Sequence, residues 1–191
     1  ATAGLYLNSP SGIWEYSVEG YYKRMSDYLD YRGGAKLLMN HHIETDVINT
    51  QGHAYGVELQ VKKQVGKLNG WMSYTYSRTF LRQNDKRIEK PVNNGDWYPT
   101  EYDKPHDFKF VGNYKFTHRY SMSINVDYST GRPTTIPAGQ YYDESTQSMR
   151  VYYTERNSYR IPDYFRTDIS FNIEPSHHLT LLTHSSISIG V

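Results

Sequence analysis

The chain has 191 residues, a net charge of +1 and no cysteine. That length suffices for one ordinary domain with a sizeable core. The missing Cys excludes disulfides without identifying a compartment, and Lys and Arg scattered along the chain form no basic stripe for nucleic acid.

The first residues, "ATAGLYLNSPSG", have neither the basic start nor the apolar run of a signal peptide. "GLYLN" instead has the character of a strand end that leads into a short connection, "NSPSG". From there the chain repeatedly shows period two, the mark of strands with two different faces. Trp14, Tyr16, Val18, Gly20 and Tyr22 alternate with Glu15, Ser17, Glu19, Tyr21 and Lys23. Tyr55, Val57, Leu59 and Val61 alternate with Gly56, Glu58, Gln60 and Lys62. Met72, Tyr74 and Tyr76 oppose Ser73, Thr75 and Ser77. Phe108, Phe110, Gly112, Tyr114 and Phe116 oppose Lys109, Val111, Asn113 and Lys115. Tyr120, Met122, Ile124, Val126 and Tyr128 oppose Ser121, Ser123, Asn125, Asp127 and Ser129. Phe165, Thr167, Ile169, Phe171 and Ile173 oppose Arg166, Asp168, Ser170 and Asn172. A last strand carries Leu179, Leu181, Ile187, Ile189 and Val191 against His178, Thr180, His184, Ser186 and Ser188. Almost every charge falls in a polar row.

Alternation alone fits a soluble β-sandwich with its apolar face inward, or a membrane barrel with that face toward lipid. The connections discriminate. "GKLNG" (66–70), "THR" (117–119) and "EPSHH" (174–178) are tight turns, whereas the gaps 32–43, 83–103 and 133–160 are long. Strands running alternately up and down put all short turns at one end and all long loops at the other, the layout of outer-membrane barrels. Loops above about 12–15 residues are uncommon in compact soluble domains. The clean runs last about 9–11 residues, the length a tilted strand needs to cross a bilayer. Tyr22, Tyr76, Phe108, Phe116, Tyr120 and Tyr128 sit near strand ends, where interface girdles lie. The 20 Tyr residues, against 6 Phe and 3 Trp, suit half-wet surfaces. A mean hydropathy of −0.77 does not decide, because a barrel with a polar lumen and large loops is equally polar.

The residues also resemble a known family. "AYGVELQVKKQVGKLNGWMSYTYSRT", "YPTEYDKPHDFKFVGNYKFTHRYSMSINVDYSTGRPTTIP" and "YRIPDYFRTDISFNIEPSHHL" are similar to the C-terminal barrel of TonB-dependent outer-membrane receptors of the Bacteroidetes type. The likeness runs from about residue 12 onward. It implies an all-β fold: an antiparallel transmembrane β-barrel segment of about 7–8 strands from a 22-stranded barrel, with short periplasmic turns and long extracellular loops. Residues 1–191 are then expected to be a partial barrel domain, with the plug, earlier strands and final strand outside the chain. The implied function is outer-membrane import of a scarce nutrient (an iron chelate, cobalamin, a glycan or a peptide), energised by TonB. The implied partners are the lipid bilayer, the receptor's own N-terminal plug, the TonB–ExbB–ExbD complex, a surface lipoprotein and the nutrient, with no nucleic acid. A soluble extracellular β-sandwich binding module is the alternative from another class, and an outer-membrane enzyme a distant third.

In the barrel reading, Glu15, Glu19, Lys23, Glu58, Lys62, Lys109, Lys115, Asp127, Arg166 and Asp168 line the lumen and face the plug. In the sandwich reading the same row is simply an exterior. The loop 93–103 gathers Asp96, Trp97, Tyr98, Glu101 and Tyr102 as substrate-binding candidates, and the loop after Ser129 gathers Arg132, Tyr141, Tyr142, Asp143, Tyr152, Tyr153 and Tyr159. Such aromatic and charged clusters either stack on ligands or pack the loops onto one another. The adjacent pairs His41–His42 and His177–His178 lack metal-ligand spacing, so no metal or cofactor is expected. Asp103 and His106 in "DKPHD" read as a strand start, with Pro105 holding Lys104 extended. No catalytic motif occurs.

Overall fold

The computed structural model describes residues 1–31, 47–83, 90–145, 147–173 and 185–190, the last stretch as backbone. The strands in chain order are β1 (Thr2–Asn8), β2 (Trp14–Tyr31), β3 (Val47–Lys63), β4 (Leu68–Arg82), β5 (Tyr98–Pro99), β6 (His106–Lys115) and β7 (Tyr120–Ser129). They continue with β8 (Pro133–Thr134), β9 (Pro137–Asp143), β10 (Ser148–Tyr153), β11 (Tyr159–Arg160), β12 (Tyr164–Ile173) and β13 (Ser185–Gly190). One antiparallel sheet runs β1-β2-β3-β4-β6-β7-β12-β13, and β5 prolongs the line of β6 beside β4. "GLYLN" thus belongs to strand β1, and β6 begins at His106 as "DKPHD" implied.

Cross-strand register turns the sequence alternation into two continuous surfaces. Leu7, Tyr16, Val61, Met72, Phe110 and Val126 lie side by side across six strands. Two residues farther along lie Leu5, Val18, Leu59, Tyr74, Phe108, Tyr128 and Phe165. The opposite face carries Ser17, Gln60, Ser73, Lys109, Asp127 and Arg166 in one line. No described element covers the apolar face: Leu5 is 58% exposed, Val18 45% and Phe165 68%. A soluble sandwich hides such a face; this sheet presents it. The buried apolar residues among those described are Ile48, Ala54, Leu81 and Tyr98. All four lie toward the long-loop end, so the core sits at one end of the sheet and not across its width.

The short connections 9–13, 64–67 and 116–119 share the other end. In the last of them the Thr117 hydroxyl accepts from the backbone N–H groups of Arg119 (3.1 Å) and Tyr120 (3.2 Å), which closes the turn. The "EPSHH" turn, both His pairs, His184 with Leu179–Leu181, and the 32–43 loop lie outside the described residues.

Two expectations need correction. The 9–11-residue strand length holds for β6, β7 and β12, at 10 residues each, but β2, β3 and β4 run to 18, 17 and 15. Their outer halves escape the pattern because the inner side there is small or apolar: Ile48, Thr50, Gly52, Ala54 and Gly56 are all buried. A bulge adds to this. Ser26 and Asp27 oppose the single residue Gln51, and Asp27 has φ +54°. The second concerns 133–160, a long connection as expected but one that carries strands of its own. The β7–β12 ladder is resumed by β8–β11 and again by β9–β10, so one hairpin projects from the sheet to its tip near Asp143–Ser148.

Gly131 is the joint of that hairpin. A Cβ there would stand 1.8 Å from the Ile161 carbonyl oxygen, whereas at Gly20 it would meet only Gly56 O at 3.9 Å. Gly131→Ala is therefore expected to destabilise the hairpin base by about 1–3 kcal/mol through overpacking. Gly20→Ala should leave the fold unchanged. The temperature at which the folded protein loses its compact gel mobility checks both.

Candidate functional site

Polar side chains aimed at one another build the long-loop end. Asp103 has no exposed side-chain surface. Its Oδ1 accepts from Arg78 Nε at 3.2 Å and from the Thr79 N–H at 2.8 Å, and its Oδ2 pairs with Arg160 Nη2. Arg160 Nη1 also donates to the carbonyls of Asp103 (2.7 Å) and Gly131 (2.9 Å). One carboxylate thus ties β4, the 100–105 connection and the projecting hairpin together. A buried charge is tolerable only when paired and hydrogen-bonded in this way.

A second knot lies beside it. Because of the β2 bulge, Asp30 stands in register with Ile48, on the side where Tyr98 sits. Asp30 accepts from the Tyr98 hydroxyl (2.9 Å) and pairs with Arg156 Nη2 (3.2 Å), whose guanidinium also lies 5.6 Å over the Tyr98 ring. Burial first, then the Asp30 charge, pushes the Tyr98 phenol far above its ordinary range. Asn93 clasps the same segment: its amide oxygen accepts from Arg156 N at 2.7 Å, and its Nδ2 donates to Arg156 O at 3.1 Å. Asn157 Nδ2 donates to Pro99 O at 2.8 Å, and the Asn157 N–H donates to Thr135 Oγ1 at 2.9 Å. At the hairpin base, Asp163 accepts from the Gly131 N–H (2.9 Å) and the Tyr128 hydroxyl (2.7 Å). These bonds, the backbone one first, hold its carboxyl below the usual carboxylate range.

The substrate candidates separate on this frame. Tyr98, 1% exposed, packs the loops. Trp97 turns to the other side of the sheet, edge-on to His53 at 4.4 Å and beneath Arg82 at 4.7 Å. Asp96 and Glu101 are exposed, so the loop does not gather its side chains into one patch. The hairpin does better. Tyr141 and Arg150 are paired across it, the Tyr141 and Tyr152 rings lie 6.5 Å apart, and a Cβ on Gly139 would meet the Tyr152 ring at 2.7 Å. Tyr142 faces the opposite side with Met149, Arg132 is exposed, and Asp143 holds Arg150 at 2.8 Å.

In the polar row, Glu15 pairs with Lys62 at 3.4 Å, Arg166 with Asp168 at 2.9 Å and Lys109 with Asp107 at 3.8 Å. Asp127 stands between Lys109 and Arg166 in register, and Glu19 stands directly opposite Glu58. Among the described residues no cluster of three or more His, Asp or Glu is arranged to hold a metal. Asp103 is absorbed by its two arginines, while the His106 ring meets the Tyr74 hydroxyl at 2.8 Å, so the two form no dyad. The sequence reading passed over Asp30, Asn93, Arg156, Asn157 and Arg160 altogether. The one signal available was Asn93–Asn94, side chains that tolerate the left-handed backbone found there (φ 48° and 53°).

Asp103→Ala should cost about 3–5 kcal/mol by leaving two arginines without their buried partner. Tyr98→Phe should cost about 1.5–3 kcal/mol through the lost bond to a carboxylate. Both are expected to appear as faster protease cleavage of the loops while the strands stay intact.

Comparison with curated proteins and with solved structures returned no match. A family model described as TonB dependent receptor-like, beta-barrel, matches residues 1–191. An uncovered apolar face, a charged opposite face and loops knotted at one end are what that family's wall requires. The chain belongs to the TonB-dependent receptor β-barrel family, whose members carry out TonB-dependent transport in the Gram-negative outer membrane.

Proposed function

We propose that this chain forms part of the wall of an importer for a scarce nutrient, an iron chelate, cobalamin, a glycan or a peptide, driven by the TonB–ExbB–ExbD complex. Residues 1–191 supply eight strands of a 22-stranded barrel, and the plug and remaining strands come from elsewhere in the receptor. The observation that carries this reading is the sheet with one uncovered apolar face and one charged face. The apolar face meets lipid, with Tyr120 near the inner interface and Tyr128 near the outer. Eight residue steps between them span about 26 Å of strand, enough for the apolar band once the rest of each ring is counted.

The charged face lines the lumen and meets the plug. Glu15, Glu19, Glu58, Lys109, Asp127, Arg166 and Asp168 act there as yielding contacts. Half-hydrated ion pairs contribute only about 0–1 kcal/mol each, so a plug can slide past them. Glu19 opposite Glu58 is unfavourable alone and favours a cation from the plug. At the outer mouth Arg132, Tyr141, Tyr142 and Tyr152 are the residues placed to touch substrate, joined by the exposed Asp96 and Glu101. Tyr152 and Tyr141 suit stacking on a ring or a sugar face. No covalent step is required: the work is capture, gating and release. A surface lipoprotein would add a lid over the same mouth.

Ile124→Asp should block membrane assembly, because a charge on the lipid side near the midplane costs about 2–4 kcal/mol. Asp127→Ala should assemble normally. Equal damage from both sinks this orientation. Deleting residues 137–153 in the full receptor should preserve assembly and abolish uptake, and collapsing the proton gradient should stop uptake by the intact receptor without reducing surface binding.

A further inference from the structure

The short-turn end carries an excess of positive charge. Lys62 and Lys63 close β3, Lys67 lies in the 64–67 connection, Lys115 closes β6, and Arg119 lies in the 116–119 turn. Among the described residues, Glu15 is the one carboxylate in the short connections or within two residues of them, and it holds Lys62 at 3.4 Å. From 174 to 184 the sequence adds a single carboxylate, Glu174. Cations therefore outnumber carboxylates at this end even when Glu174 is counted.

Fixed backbone places these cations. The Lys115 N–H donates to the Lys67 carbonyl at 2.7 Å, which ties the two turns together, and the Phe116 N–H donates to the Tyr120 carbonyl at 3.0 Å. Lys63 belongs to the lipid side, where its ammonium lies 5.7 Å over the Trp14 ring and donates to the Leu68 carbonyl at 2.7 Å. Lys62 and Lys115 belong to the other side, in register with Trp71 and with Ser121. Lys67, Lys115, His118 and Arg119 are exposed. Lys67, Lys115, Arg119 and Asn172, together with Phe116 and Tyr120, border a hollow of about 490 Å³, a volume that admits a short peptide. From Lys62 to Arg119 the row crosses β3, β4, β6 and β7, about 14 Å at the ordinary strand spacing.

We infer that this rim binds the carboxylate-bearing peptide stems of the cell-wall polymer that lies beneath the outer membrane. Lys67, Lys115 and Arg119 hold the carboxylates through charge-assisted hydrogen bonds, and the hollow seats one stem. Two features select this occupant. Connections of at most five residues make a low rim that offers a folded protein little to grip, whereas a row of separate cations matches a polymer that repeats its carboxylates. Lys62 and Lys115 also stand away from the lipid side, which disfavours a phospholipid headgroup. The inference rests on the proposed orientation, with the short turns in the periplasm.

The test uses the full-length receptor in neutral detergent, pelleted with purified sacculi. Sacculi with their carboxyl groups converted to amides, and phosphatidylglycerol micelles as competitor, separate the sources of charge. An exposed ion pair contributes about two- to fivefold in affinity, so Lys67→Gln with Lys115→Gln and Arg119→Gln should weaken retention at least about eightfold. Lys67→Gln alone, at an exposed turn position, should weaken it about two- to fivefold without endangering the fold. Arg24→Gln, at the long-loop end, should change nothing. Salt at about 1 M, where the screening length is about 3 Å, should release the receptor. Equal retention on amidated sacculi, retention that survives salt, or unchanged retention of the triple variant overturns the proposal. Displacement by phosphatidylglycerol overturns the wall as occupant. His118→Cys separates this idea from the orientation beneath it. Labelling of that thiol on intact cells by a membrane-impermeant maleimide overturns the orientation, whereas a protected thiol with unchanged retention of the triple variant sinks the wall contact alone.

Discussion

A sheet one strand thick has no interior, so each of its faces must find its own solvent. Everything else in this chain follows from that constraint. Backbone polar groups are satisfied sideways, strand to strand, which is the one solution open to strands in hydrocarbon. Side chains are then free to answer two media at once. Phe110 and Val126 stand adjacent on one side while Lys109 and Asp127 stand adjacent on the other, and one residue of slip would exchange them.

The long-loop end obeys a different rule, because loops cannot borrow a partner strand all along their length. There the chain uses buried charge. Asp103 and Asp30 each recruit an arginine from the distant hairpin, which fixes where that hairpin stands relative to β2 and β4. Buried pairs of this sort are weak sources of net stability but strong determinants of arrangement. The mouth therefore has a rigid floor of ionic knots, with the tyrosine-bearing hairpin rising from it. That division suits a surface that must change its ligands without disturbing its wall.

The membrane-spanning half of this architecture was legible in the sequence because lipid and lumen demand opposite side-chain chemistry at every other position. The alternation from Tyr120 to Ser129 maps onto β7 residue for residue. The outer half was not legible, for physical reasons. Where Gly52, Ala54 and Gly56 lie beneath the packed mouth, small residues replace charged ones and the two rows cease to differ. The hairpin from Pro133 to Arg160 is wet on both sides, so it shows no period, and short ladders broken at Gly131 and Thr135 read as loop. Nor does spacing reveal Asp103 with Arg160, 57 positions apart, since their meeting depends on which strands are neighbours. Trp97 and Tyr98 read as one aromatic patch, yet adjacent residues of an extended segment point apart.

The bulge in β2 sets a limit on how this wall can be rebuilt. Below it odd-numbered residues such as Met25 accompany Gly52, and above it even-numbered Tyr28 and Asp30 accompany Thr50 and Ile48. Ser26 and Asp27 act as a phase inverter. Any transplant of the mouth onto another barrel has to splice β2 below Ser26 and carry the inverter along. A seam drawn above it would keep every residue of the loops and still swing the Asp30 carboxylate to the bilayer side, parting it from Tyr98 and Arg156.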